Sequence, residues 1–509
     1  MIQSRAVQGD DIIYGDFAIA QEITSEGNDM IDAGRGNDYI NTGGGDDKAT
    51  GGQGNDVIFG MAGSDMLDGA TGNDIIDGGE GDDVLSGGQD GVLTQDASGN
   101  YTGYTDITKA RSDIAANINV NSAKELLENI ELSGSDTIFG SNGNDQIFGF
   151  SGNDILNGGD GNDIILGGYG SDTIDGGAGN DIILADEDEE AYFNALSTSD
   201  LLPSEFNSAF VNGDDIITSG DGDDTVILVE GNDTVNLGKG NDNLQNQYAN
   251  ATVRAGVGDD SIETVAGNNI IYGEDGNDTI KLGFGDDKAY GGKGNDNIST
   301  GDGNDYIEGN AGDDIITSGA GDDTVLGGDG NDIIQDDSGL NTLDGGEGDD
   351  YIIGGSDADT IFTGTGANDS VFAGAGDDTI VTDSAGAKLV GASGNDTYKI
   401  NSLSGNITIN DLGEASDIDT IEFAANKLGS LKLVKDGDNL VISFTGQTGK
   451  ITVQNQFGVD KTSRIEMLKF GDNLLNITSL ILGTAGNDTI NGTINDDVIL
   501  GDLGKDVIF

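Results

Sequence analysis

Aspartates recur in this sequence every nine residues, each closing a Gly-x-Asp triplet, and such carboxylates are equipped for two kinds of chemistry. Paired acids can exchange protons, as in glycoside or uronate processing, and rows of acids can hold hard cations through oxygen. The first run is Asp29, Asp38, Asp47, Asp56, Asp65, Asp74 and Asp83. The phase restarts with Asp136, Asp145, Asp154, Asp163, Asp172 and Asp181. It restarts again with Asp215, Asp224, Asp233, Asp242, Asp260, Asp278, Asp287, Asp296, Asp305, Asp314, Asp323, Asp332, Asp350 and Asp378. The remaining inventory is narrow. With no histidine and no cysteine, the chain can form neither an HExxH zinc site nor a Ser-His-Asp triad, and it has no thiolate nucleophile and no zinc-thiolate site. An aspartate bonding its own backbone can also shape a turn. A turn needs one such residue, however, and does not select a charge repeated at fixed spacing. Ligation is therefore the expected chemistry, and no enzyme is expected.

Elements of matching period must position these carboxylates. Two residues after each aspartate stands an aliphatic side chain: Ile31, Ile40, Ile58, Leu67, Ile76 and Leu85, then Ile138, Ile147, Leu156, Ile165, Ile174 and Ile183. That is one inward residue per short strand. Glycine at the triplet permits the tight turn that a Cβ would obstruct. Each unit reads as a turn followed by a three-residue strand, and two units close one 18-residue coil. Ala49 and Ala289 break the aliphatic rule inside a shared Gly-Asp-Asp-Lys-Ala variant.

Charge makes this arrangement conditional. The formal net charge is -73, and 94 acidic against 21 basic side chains make nucleic acid and anionic membrane poor partners. Coils stacked at about 4.8 Å would line up Asp38, Asp56 and Asp74 on one edge and Asp47, Asp65 and Asp83 on the other. Neighbours at that spacing repel by about 3 to 4 kcal/mol. One buried aliphatic per nine residues does not offset the ordering entropy and this repulsion together. A hard cation between turns removes the conflict. Ca²⁺ takes six to eight oxygens and glycine-rich turns expose carbonyls, whereas Mg²⁺ prefers a tight octahedron with its waters.

Full copies such as Gly51-Gly52-Gln53-Gly54-Asn55-Asp56-Val57-Ile58-Phe59, Gly158 to Leu166 and Gly327 to Gln335 resemble the nonapeptide of the RTX, or haemolysin-type calcium-binding, family. The resemblance implies an all-β chain, a right-handed parallel β-roll with Ca²⁺ in its turns. It also implies that aspartates 18 residues apart share an ion, as Asp56 with Asp74 and Asp314 with Asp332. On the order of 20 ions would then be bound. Type I secretion follows by the same resemblance, with sites empty in the cytosol and filled outside the cell. Met1 to Asp11 has no apolar signal core, and no stretch approaches 18 apolar residues, so neither an N-terminal secretory signal nor membrane insertion is expected.

The array is expected to divide at its breaks. Residues 1–88, 134–185 and 213–384 read as β-roll. Residues 89–133 read as an irregular insertion with a short helix at Ala123 to Ile130, and 186–212 as an acidic excursion containing the only proline, Pro203. From 385 to 482 the pattern alternates, as in Leu440-Val441-Ile442-Ser443-Phe444. This resembles the haemolysin-type calcium-binding related module and suits a cap. Residues 483–509 resume Gly-x-Asp units and end in Asp506-Val507-Ile508-Phe509, which resembles the tail of some type I substrates and equally repeats Asp56 to Phe59. A structural, surface, matrix or adhesion role is the leading expectation, with end-to-end self-association or cell-surface polysaccharide as partners. The alternatives are the RTX portion of a larger secreted enzyme or toxin, and a polysaccharide-binding module. Tyr and Phe are too scattered in sequence to mark a binding stripe.

Overall fold

The computed structural model describes residues 3–5, 12–14, 27–87, 135–186, 213–414, 416–424, 430–459, 464–483, 489–490, 498–500 and 507–508. The helix expected at Ala123 to Ile130 and most of the acidic excursion lie outside these residues. Among the described residues there is no helix, and the chain divides into two compact units, Met1–Thr252 and Val253–Phe509.

In the first unit, successive strands alternate between two parallel sheets. Met30–Arg35, Lys48–Gln53 and Met66–Thr71 pair in one, and Tyr39–Asn41, Val57–Ala62 and Ile75–Glu80 in the other. Each of these pairings joins residues 18 apart, as Met30 with Lys48 and Val57 with Ile75. The aliphatic side chains two residues past each aspartate form the core: Ile40, Ile58, Ile76 and Leu85 are fully buried. Ala49 is buried in the same column, and Ala289 is buried at the equivalent position of the second unit. The sheet also closes over both breaks, since Ile75 pairs with Thr137 and Thr173 with Ile216.

Strands are longer than the expected three residues. Val57–Ala62 is typical, with six. Each six-residue strand of the first unit stays in register to its end, as Ser141 with Gly159, because a left-handed residue at its fifth position bends the strand without breaking the ladder. Glycine takes that position in Lys48–Gln53, but Met61 at φ 79° and Ala70 at φ 76° show that side chains also occupy it.

The second unit repeats this plan through Lys288–Lys293, Tyr306–Ala311 and Thr324–Asp329 on one sheet and Asn297–Asp302, Ile315–Ala320 and Ile333–Gln335 on the other. The 18-residue register continues past 385, with Ser370 against Lys388 and Thr379 against Thr397. Antiparallel pairing begins at Leu431–Asp436, which runs against Asn439–Phe444. Lys450–Val453 joins that hairpin to the parallel strand Asn406–Ile409. Phe423, Phe444 and Phe470 close the core there, with the rings of Phe423 and Phe470 stacked at 4.9 Å. Stacking also assembles tyrosines that lie far apart in sequence: Tyr272 and Tyr290 lie parallel at 4.8 Å, with Tyr306 beside Tyr290 and Arg254 over Tyr272.

Candidate metal sites

Every aspartate of the sequence rows is buried at a turn, none more than 3% exposed. Each carboxylate faces the preceding coil rather than its own turn. The backbone N–H of Asp56 donates to Oδ1 of Asp74 at 2.7 Å, and that of Asp314 to Oδ1 of Asp332 at 2.9 Å. The same bond spans the first break, from Asp74 to Asp136 at 2.6 Å, and the second, from Asp172 to Asp215 at 2.7 Å. The two edges foreseen from the sequence are therefore ladders that run across both breaks in the first unit, until Ala251 takes the rung after Asp233.

At many rungs one carboxylate oxygen remains. Oδ2 of Asp56, Asp74, Asp154, Asp278, Asp296, Asp314 and Asp332, among others, is buried with no hydrogen-bond partner. An ionised carboxylate in that condition is costly unless a cation joins it. The space beside it is made by glycine. A Cβ built on Gly60 would meet Oδ2 of Asp65 at 2.4 Å and the carbonyl oxygen of Gly78 at 2.4 Å. At Gly327 the same atoms, Asp332 Oδ2 and Gly345 O, would both lie at 2.4 Å. These cradles thus present a carboxylate oxygen and, from the next coil, a carbonyl oxygen. These are hard oxygen donors, and they fit Ca²⁺.

Burial raises these carboxyls, and repulsion from neighbouring rungs adds to it, while the backbone N–H donated to Oδ1 opposes both. Asp56 is pushed up to about 6, Asp74 and Asp332 to about 7, and Asp136 to about 8. Without metal, rungs raised that far, such as Asp74 and Asp136, therefore keep part of their protons at neutral pH.

The triplet rule missed several rungs. Asp359, Asp369 and Asp419 are buried rungs without that triplet, and Asp396, which closes Gly394-Asn395-Asp396, is a further rung beyond the run that ends at Asp378. Asn269 and Asn341 occupy rungs as neutral acceptors or donors, Asn341 Oδ1 receiving the N–H of Asp323 at 2.8 Å. Each is followed two residues later by a buried core side chain: Ile361, Val371, Tyr398, Ile421, Ile271 and Leu343. That column was the signal that could have found them.

Fold and site together define a parallel β-solenoid whose turns are lined with cation-ready oxygen. The RTX calcium-binding nonapeptide repeat matches residues 23–58, 59–91, 132–165, 157–189, 211–244, 254–289, 290–325, 326–361, 361–386 and 480–509, well over half of the sequence. The chain belongs to this family of calcium-binding repeat proteins. The haemolysin-type calcium binding protein related domain matches 439–474, which contains most of the antiparallel strands. No curated protein matches the chain. Among solved structures, a hyperactive, Ca²⁺-dependent, β-helical antifreeze protein from an Antarctic bacterium is similar at 14% identity and a TM-score of 0.19, over 94% of this chain and 96% of that one.

Proposed function

We propose that this chain is a secreted structural protein, without enzymatic activity, that folds when Ca²⁺ fills its turns outside the cell and then serves a surface, matrix or adhesion role. The observation that carries this reading is the row of buried, unpartnered Oδ2 atoms beside glycine-made spaces. Such a row is unfavourable at cytosolic calcium and favourable at the millimolar calcium found outside cells, where extracellular modules bind at about 10⁻⁴ to 10⁻³ M. Repeats fill most of the sequence, which leaves little of it for a separate effector. A polysaccharide-binding role is the second reading, favoured by the Tyr272, Tyr290 and Tyr306 cluster.

Circular dichroism tests the coupling directly. In EGTA the chain is expected to be largely unstructured, and in millimolar Ca²⁺ to show β structure with a cooperative transition. Identical spectra in the two conditions would remove the basis for folding on export.

A further inference from the structure

At Asp396 the aspartate ladder meets residues that follow no nine-residue pattern. The N–H of Asp378 donates to Oδ1 of Asp396 at 2.9 Å, an ordinary rung. The N–H of Asp396, however, donates to Oδ1 of Asp419, 23 residues on, at 2.8 Å. The longer interval carries Asp411 alongside. One carboxylate oxygen from each of Asp396, Asp411 and Asp419 lies within 4.8 Å of the others, and none of the three residues is more than 2% exposed. Tyr398 occupies the core column that holds aliphatic residues in the other coils. Its hydroxyl accepts from the N–H of Gly391 at 2.7 Å and donates to Oδ1 of Asp411 at 2.9 Å. Behind Asp419, Glu466 Oε2 accepts its N–H at 3.0 Å.

Buried acids can share a proton, so clustering alone does not make a metal site. The independent observation is Oδ2 of Asp396, which is buried, has no hydrogen-bond partner and faces the space beside the Tyr398 hydroxyl that holds Asp411. A Cβ built on Gly391 would meet that oxygen at 2.1 Å and the Tyr398 hydroxyl at 2.6 Å. We propose that Asp396, Asp411 and Asp419 hold one Ca²⁺ in a site chemically distinct from the nonapeptide turns, with Tyr398 orienting Asp411 and Glu466 orienting Asp419. An ordinary cradle presents one carboxylate oxygen beside a carbonyl, whereas three carboxylates meet here, and Ca²⁺ affinity rises with ligand charge and rigidity. The hydroxyl and Glu466 supply the outer contacts that fix ligand geometry. The site fills ahead of the array and ties the last parallel coils to the segment carrying Glu466.

Equilibrium dialysis of the full chain against buffered free Ca²⁺ tests this. The expected result is one ion per chain bound at free calcium roughly tenfold below that which fills the turns. Asp411→Asn, close to isosteric, is expected to remove that ion while the turns still fill and β structure still forms in millimolar Ca²⁺. Tyr398→Phe is expected to keep the ion and loosen it several-fold. A first ion unchanged in Asp411→Asn overturns the proposal, as does a wild-type chain with no ion preceding the array, the outcome if Asp411 and Asp419 share a proton instead. If Asp411→Asn fails to fold in saturating calcium, Tyr398→Phe decides, and an unchanged first ion overturns it. Turns that never fill in the wild type would count against the calcium-folding reading above, with the single tight ion still countable.

Discussion

The two oxygens of a ladder carboxylate such as Asp74 or Asp332 differ: Oδ1 is fixed by a backbone N–H of the preceding coil, and Oδ2 is buried and open to a cation or a proton. This division makes calcium and protons competitors. The unfolded chain releases these protons near 3.8, the metal-free coil near 6 to 8 at rungs such as Asp56, Asp332 and Asp136. Below about pH 4 both states are protonated and the carboxyls do not distinguish them. Between the two values the coil holds protons that the unfolded chain has lost, so metal-free stability falls as pH rises through that window. Above it the full repulsion stands unless metal is present. Calcium must displace those protons, so its affinity is expected to weaken as pH drops below about 7. The calcium midpoint of the β transition should rise at least about tenfold between pH 8 and pH 5.5, with proton release on binding near pH 6. A midpoint independent of pH would show that the rungs are already ionised in the metal-free coil. Sequence spacing located most rungs because ligand and turn share one residue. It passed over Asp359, Asp369 and Asp419, where the glycine that opens the triplet is replaced or displaced while the rung itself persists.

Coils and strands depend on glycine for two different reasons, which separates two kinds of substitution. At Gly54, φ is +131° and a Cβ would lie 1.8 Å from the carbonyl oxygen of Gly36 in the neighbouring coil. At Gly437, in the hairpin between Leu431–Asp436 and Asn439–Phe444, φ is +63° and nothing lies within 4 Å. Gly437→Ala pays only the left-handed backbone strain and should lower stability by about 1 kcal/mol. Gly54→Ala adds a collision with backbone that has no flexible end to yield, and should exceed about 3 kcal/mol or prevent the local coil from closing. Urea denaturation of both variants in millimolar Ca²⁺ measures the difference, and equal losses would mean that the coils do not approach as closely as 18-residue stacking requires. The coil length was legible because turn, core and ladder all repeat in step. Strand length was not, since Met61 and Ala70 show no sequence mark of the bend they adopt. The tyrosine cluster was hidden for a related reason. Tyr272 and Tyr290 are 18 residues apart, and only stacking makes them neighbours.

On the scale of the whole chain the question is what offsets a charge of -73. Basic side chains do not. The described ion pairs, such as Lys239 with Asp221, Lys281 with Glu263 and Lys293 with Asp275, are largely exposed and bridge neighbouring coils at the surface. Exposed pairs of this kind contribute about 0 to 1 kcal/mol each and leave the buried rungs untouched. Monovalent salt does not reach those rungs either. Its screening length is about 8 Å at physiological ionic strength, longer than the roughly 4.8 Å between coils. Filling on the order of 20 turns with divalent ions would offset about 40 charges where they crowd most. Coordination and screening therefore predict different outcomes at matched ionic strength. In EGTA with NaCl, small-angle scattering should give an expanded chain with a radius of gyration on the order of 80 Å. Mg²⁺ should contract it gradually without restoring β structure, because it keeps its waters rather than accept paired carboxylate and carbonyl oxygens. Ca²⁺ should produce a cooperative collapse over a narrow concentration range, with circular dichroism and scattering changing together. If Mg²⁺ or NaCl alone produced the same collapse, general screening would hold the coils, and the buried Oδ2 row would need no ligand.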